Sequence, residues 1–121
     1  LEDRVQLESG FIGNIQEYYQ MSDIYGCPPV SEGLGTPLLE SVACGLPVVA
    51  NRIEGITDTW ITDGENGYVC SLSPELFAEK LRLASAIPEP ARRAQAAKII
   101  SVAGTSVIDG KYMDLIKRIC I

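Results

Sequence analysis

Two carboxylates, Glu32 and Glu40, stand with seven residues between them in the stretch SEGLGTPLLESVACG. A glycine-rich loop running into Thr36-Pro37 predicts a helix start, with Thr36 as its cap and Pro37 at the first helical position, where a missing N–H leaves nothing unpaired. Glu40 then lies about four residues into the helix, roughly 6 Å along its axis at ~1.5 Å per residue. It falls off the face shared by Leu38, Leu39, Val42 and Ala43, so it is free to point toward a crevice. The amides of Gly35, Thr36 and Leu38 coincide with the positive end of the helix dipole, a setting suited to phosphate oxygens. Gly33 and Gly35 let the backbone approach a ligand closely, and Thr36 adds a hydroxyl. Singly, Glu32 is a solvated loop acid and Glu40 a first-turn acid. Together with the loop they describe a site for an anionic group joined to a polyol, as in a nucleotide-sugar.

Other chemistries lose their residues. The 121-residue chain contains no histidine, which excludes a Ser-His-Asp triad supplied by this chain alone. Its four cysteines, Cys27, Cys44, Cys70 and Cys120, form no C-x-x-C pair and read as buried or half-buried thiols, with no metal site. A net charge of −6, with no basic cluster beyond Arg92-Arg93, argues against a nucleic-acid partner. No apolar run approaches the ~18 residues of a membrane span, and the opening LEDRVQLESG lacks the pattern of a secretory signal, so a soluble, unsecreted protein is expected.

The elements that must hold the two acids follow from punctuation and periodicity. A strand is expected around Val5 to Ile12, and then a helix capped by Asn14 carrying Ile15, Tyr18, Tyr19 and Met21. IYGCPP reads as a short strand ended by prolines, and Pro47-Val48-Val49-Ala50 as a strand buried on both faces. Gly45 stands where a helix stop belongs. After the turn-rich stretch from Glu54 to Gly67 comes a strand over Tyr68 to Cys70, and three helices follow: one from Ser73-Pro74-Glu75, one from Glu89 to about Ala103 ended by Gly104, and one carrying Ile108, Tyr112 and Ile119. Four strands alternating with helices predict an α/β fold with a parallel sheet. Tyr18, Tyr19, Tyr25 and Trp60 are expected to pack, and Gly45, Gly64 and Gly67 to shape turns; Asp58 is open between turn chemistry and ligand contact.

The stretch SEGLGTPLLESVACGLPVVA resembles the E-x7-E signature of the retaining glycosyltransferases of family 4, which have the GT-B fold. The likeness extends to GFIGNIQEYYQMSDIYGCPPVSEG before it, to IEGITDTWITDGENGYV, SPELFAEKL and SVIDGKYMDLIKRI after it, and so covers roughly residues 5 to 119. It implies a partial Rossmann-like parallel sheet flanked by helices, residues 1–121 being an incomplete C-terminal nucleotide-sugar-binding domain with C-terminal helices from about 73 to 120. It further implies that Glu32, the catalytic position, holds hydroxyls of the transferred sugar. Glu40 would hold the ribose hydroxyls, and the amides of Gly33, Leu34, Gly35 and Thr36 would meet the sugar and diphosphate.

No cofactor or metal is implied beyond the nucleotide-diphosphate sugar itself as donor substrate. The acceptor would be a glycan or lipid-linked glycan engaged through a missing N-terminal domain. The location would be cytoplasmic, with peripheral attachment at the inner face of the membrane open to the full-length protein. The chain departs from the family at Pro29, where serine is usual, and at Asp58, which stands at the acid position of a GG-x-x-E pattern as Glu54-Gly55-Ile56-Thr57-Asp58. The family's Gly-rich opening loop and its downstream Arg and Lys have no counterpart, since Arg4 and Arg52 do not fall at those positions. In a Rossmann-like order 3-2-1-4-5-6, the strand near Val5 would be the third, and those at Ile24, Pro47 and Tyr68 the fourth to sixth. The sheet edge near Ile24 to Cys27 would then need a pairing partner. The alternative is a non-catalytic α/β scaffold or interaction module of the same fold.

Overall fold

Val48, Val49 and Ala50 are completely buried, and the fold is organised around them. The computed structural model describes residues 2–119. After a 3₁₀ turn over Glu2–Arg4, the elements run α1 (Ile15–Met21), β1 (Tyr25–Cys27), α2 (Thr36–Ala43), β2 (Val48–Asn51), α3 (Thr57–Trp60), β3 (Gly67–Cys70), α4 (Pro74–Ala84), α5 (Glu89–Ala103) and α6 (Thr105–Ile119). The sheet has the order β1-β2-β3 and both pairings are parallel, with Tyr25 opposite Val48 and Ala50 opposite Val69. Parallel neighbours require crossovers, and α2 and α3 supply them.

A central parallel strand must be covered on both faces. Val48 and Ala50 face a cluster with Leu38, Val42, Ile61, Val69 and Ile99, while Val49 points the other way, to Cys70, Ala84 and Ile87. So α2 and α5 lie on one face and α4 on the other. Local signals place these helices. Ser73 caps α4 by accepting from the Leu76 amide at 3.4 Å. α2 ends in a Schellman motif, with the amides of Gly45 and Leu46 donating to the carbonyls of Val42 (2.9 Å) and Ser41 (3.0 Å).

Three expectations need correction. The sheet has three strands among the described residues, not four: residues 5–13 form none, and Phe11 there is 98% exposed. A strand exists only where a neighbour offers it a ladder, and this segment, turned at Gly10 with φ +101°, has no such neighbour. Gly67 shapes no turn. It opens β3 where an added Cβ would lie 2.0 Å from the Val48 carbonyl oxygen, so the close approach of β3 to β2 is what demands glycine. Among the cysteines, Cys70 is buried and Cys27 half-buried, but Cys44 is exposed because it caps the outer end of α2; Cys120 lies outside the described residues. The apolar stripe of α6 forms, but none of its residues is fully buried: α6 packs on α5 and leaves Tyr112, Leu115 and Ile119 exposed.

β1 pairs with β2 only, so among the described residues its other edge is open. No helix described is long and apolar enough to cross a membrane.

Substituting Gly67→Ala should lower stability by about 1 to 3 kcal/mol through overpacking against the Val48 backbone. Gly110→Ala, within α6 with open space around the added carbon, should raise it by up to about 1 kcal/mol. The two urea midpoints, moving in opposite directions, check the assignment.

Candidate functional site

Because the strands are parallel, all three carboxyl ends lie on one edge of the sheet, and the loop after β1 and the loop after β2 leave from that edge. In open α/β sheets this is where ligands bind. The first of these loops, residues 28–35, delivers both acids, Glu32 within it and Glu40 on the helix it feeds.

The helix cap is Gly35, not Thr36. Gly35 is buried with φ +75° and ψ +45°, a left-handed conformation that favours glycine, and Thr36 and Pro37 form the first turn with no side-chain cap bond. The Gly35 carbonyl accepts the first intrahelical bond, from the Leu39 amide at 3.0 Å. Glu32 shapes the loop ahead of it. Its carboxylate folds back onto its own loop and accepts from the Gly33 amide at 2.8 Å. The amides of Gly33, Gly35 and Leu34, with Gly33 contributing most, hold the Glu32 carboxyl below the usual carboxylate range. The carboxylate thus occupies the Gly33 amide, one of those that the family resemblance assigns to a ligand.

Glu40 is exposed on α2, as its position on the helical wheel predicts, and it receives a hydrogen bond that sequence reading missed. The Tyr19 hydroxyl donates to Glu40 Oε2 at 3.2 Å. Tyr19 also meets Tyr25 edge-on, ring centroids 5.8 Å apart and planes at 85°. Both tyrosines pack, as expected, but their hydroxyls carry polar roles as well. Burial, and then the bond to Glu40, push the Tyr19 phenol up to about 12. The Tyr25 phenol is raised too, first by burial, then by Cys27 and more weakly by Tyr19 and Glu32. Two acids and two phenols are therefore in electrostatic contact with one another.

A cleft of about 630 Å³ opens between α2 and the α5–α6 junction, lined by Leu34, Thr36, Glu40, Trp60, Ile108 and Lys111 among others. It brings together three of the expected site residues, Leu34, Thr36 and Glu40; Glu32, Gly33 and Gly35 are not in its wall. Asp58 resolves to turn chemistry, accepting from the Gly55 amide at 2.8 Å and lying 3.6 Å from Arg52. Trp60 packs against the first core cluster. At the carboxyl end of β2, the buried Oδ1 of Asn51 has no hydrogen-bond partner among the described residues.

The family model described as glycosyl transferases group 1 matches residues 1–99. The chain belongs to this family. Among curated group 1 relatives it is 39% identical over 72 residues to the N-acetyl-alpha-D-glucosaminyl L-malate synthase of Bacillus anthracis, a match covering 60% of this chain and 18% of that one. It is 38% identical over 84 residues to the D-inositol 3-phosphate glycosyltransferase of Nocardiopsis dassonvillei, covering 69% and 19%. The solved structure of the pneumococcal O-GlcNAc transferase GtfA in complex with UDP and GlcNAc superposes with a TM-score of 0.78 at 26% identity, over 97% of this chain and 24% of GtfA. That of WaaG, a glycosyltransferase of lipopolysaccharide biosynthesis, gives 0.58 at 30% identity, over 78% and 25%. The architecture is thus that of GT-B glycosyltransferases, and the chain spans less than a fifth of the length of those two curated group 1 relatives.

The two raised phenols set an alkaline limit on this group 1 fold. Above the ordinary tyrosine value of 10.0 the unfolded chain loses its phenol protons first, so the stability they contribute is complete below that pH and is lost as pH climbs toward 12. Glu40, Glu32, Cys27 and Cys44 surround the pair and all oppose its ionisation. The urea midpoint should hold steady from about pH 7 to 9 and fall from about pH 10 upward. Tyr19→Phe should make that fall shallower; an unchanged slope would refute the assignment.

Proposed function

We propose that this chain is the greater part of the donor-binding domain of a retaining glycosyltransferase of family 4. The full-length protein would move a sugar from a nucleotide-diphosphate donor to a glycan or lipid-linked glycan. The observation that carries the reading is the loop 28–35 at the carboxyl edge of the sheet, with Glu32 among its amides and Glu40 four residues into the helix that follows. Membership of the group 1 family and the similarity to GT-B structures support it.

In this reading Glu40 accepts from the ribose hydroxyls of the nucleotide. Glu32 exchanges its present amide contacts for hydroxyls of the transferred sugar, freeing Gly33, Leu34 and Gly35 to join Thr36 in meeting sugar and diphosphate oxygens. The N-terminus of α2 then stabilises the charge that grows on the departing diphosphate, the type of electrostatic assistance worth most in transfer reactions. An acceptor domain and the remaining donor-domain strands belong to other parts of the full-length protein, which acts on the cytoplasmic side of the membrane. UDP-N-acetylglucosamine is the first donor to test, since GtfA was solved with UDP and GlcNAc and the malate synthase is named for the same sugar.

Titrating the full-length protein with UDP-, GDP- and ADP-sugars tests the reading directly, and binding to none of them would overturn it in favour of a scaffold. Glu40→Ala should weaken both nucleoside diphosphate and nucleotide-sugar by about 1.5 to 3 kcal/mol through loss of a charged hydrogen bond. Glu32→Ala should reduce turnover while sparing nucleoside diphosphate binding. Equal losses of nucleoside diphosphate affinity would refute this division of roles. The open edge of β1 leads to a separate expectation. Residues 1–121 alone should show no transferase activity and should unfold at lower urea than the whole donor domain, or self-associate in sedimentation. A monomer of equal stability would contradict the proposed truncation.

A further inference from the structure

Tyr19 is the one buried residue of α1, a helix of seven residues that touches the rest of the fold through α2. Packing alone would be served equally by phenylalanine. Yet the hydroxyl is aimed at a specific target 21 residues away in sequence, the Oε2 of Glu40. Among the described residues the other oxygen, Oε1, has no hydrogen-bond partner. The ring that carries the hydroxyl is held in turn by its edge-on contact with Tyr25, which starts β1 and pairs with Val48 of the central strand.

We infer that Tyr19 is a positioning residue for the nucleotide: its hydroxyl fixes one oxygen of Glu40 so that the other is presented to a ribose hydroxyl. The inference rests on the donor-binding reading of Glu40. A carboxylate on an exposed helix face otherwise samples several rotamers, and ordering a long polar side chain on binding costs about 0.5 to 1.5 kcal/mol. A donor already in place removes part of that penalty, and this phenol keeps its proton throughout the working range because it ionises only near 12. The 3.2 Å contact is longer than the roughly 2.5 to 3.0 Å usual for a hydroxyl donor to oxygen, so the effect belongs in the lower range for such bonds. It should act on binding and not on the transfer step, since a ribose contact is made equally in the ground and transition states.

The test uses the full-length protein and the tightest-binding member of the series UDP, GDP and ADP, with its 2′-deoxy and 3′-deoxy counterparts. Wild type should discriminate against at least one deoxy analogue, and Glu40→Ala should abolish that discrimination. Tyr19→Phe, which keeps the ring and its packing, should weaken the ribonucleotide roughly two- to tenfold and narrow the discrimination in proportion. Donor KM should rise accordingly, with kcat within about twofold of wild type. In the Glu40→Ala background, Tyr19→Phe should have no further effect on affinity.

Full discrimination retained by Tyr19→Phe, with only a lower urea midpoint, would make the hydroxyl purely structural and overturn the inference. Full discrimination retained by Glu40→Ala would instead overturn the ribose role of Glu40, and the inference with it. A protein that binds none of the series overturns both readings. Should Tyr19→Phe fold poorly, Glu40→Gln supplies the second arm. It keeps one acceptor for Tyr19 but turns a donor-only NH2 toward the ribose, so it should lose discrimination nearly as Glu40→Ala does; full discrimination retained would mean that the Tyr19 hydroxyl does not set which atom faces the ribose, and would overturn the inference.

Discussion

Everything in this fold depends on removing the β2 strand from water on both of its faces. Val48 and Ala50 point into one cluster and Val49 into the other, and all three are completely buried. Each fully buried valine contributes on the order of 1.5 to 3 kcal/mol, but only if helices cover both sides. That requirement sets α2 and α5 over one face and α4 over the other. It also explains Gly67, because two parallel strands packed this closely leave no room for a side chain against the Val48 carbonyl.

The site is a consequence of the same arrangement. Parallel strands send every crossover from the same edge, so the loop bearing Glu32 and the loop that runs from Arg52 to Asp58 in α3 emerge side by side. Three polar groups there have found a partner within the chain: Glu32 the Gly33 amide, Asp58 the Gly55 amide, Glu40 the Tyr19 hydroxyl. A ligand carrying hydroxyls and phosphate oxygens offers the same kinds of bond in exchange. The proposed chemistry therefore needs rearrangement of side chains more than of backbone.

Two surfaces remain less well used. The outer edge of β1 has no strand beside it among the described residues, and the apolar stripe of α6 lies exposed. Group 1 relatives several times longer than this chain carry the same unit within a larger architecture. Open backbone groups and exposed apolar side chains are what a neighbouring segment would cover.

Features that depend on a few consecutive residues were legible in the sequence. The stop of α2 at Gly45, the Ser73-Pro74 start of α4, the Glu89 to Ala103 extent of α5 and the apolar run of β2 all follow from capping, proline geometry and periodicity, which act within one or two turns. The pair Glu32 and Glu40 was visible for the same reason, as spacing along one loop and one helix. What depends on residues distant in the chain was decided only by tertiary structure. The segment near Val5 has apolar residues in plenty, but a strand needs a neighbour's amides and carbonyls, which composition cannot supply. Gly67 looks like turn chemistry until Val48 is brought against it. Tyr19 reads as packing until the fold carries Glu40 to its hydroxyl, because a hydrogen bond across 21 residues leaves no trace in local spacing. The identity of the cap, Gly35 and not Thr36, turns on the left-handed conformation that the loop takes before α2, which leaves the Gly35 carbonyl to accept the first helical bond from Leu39.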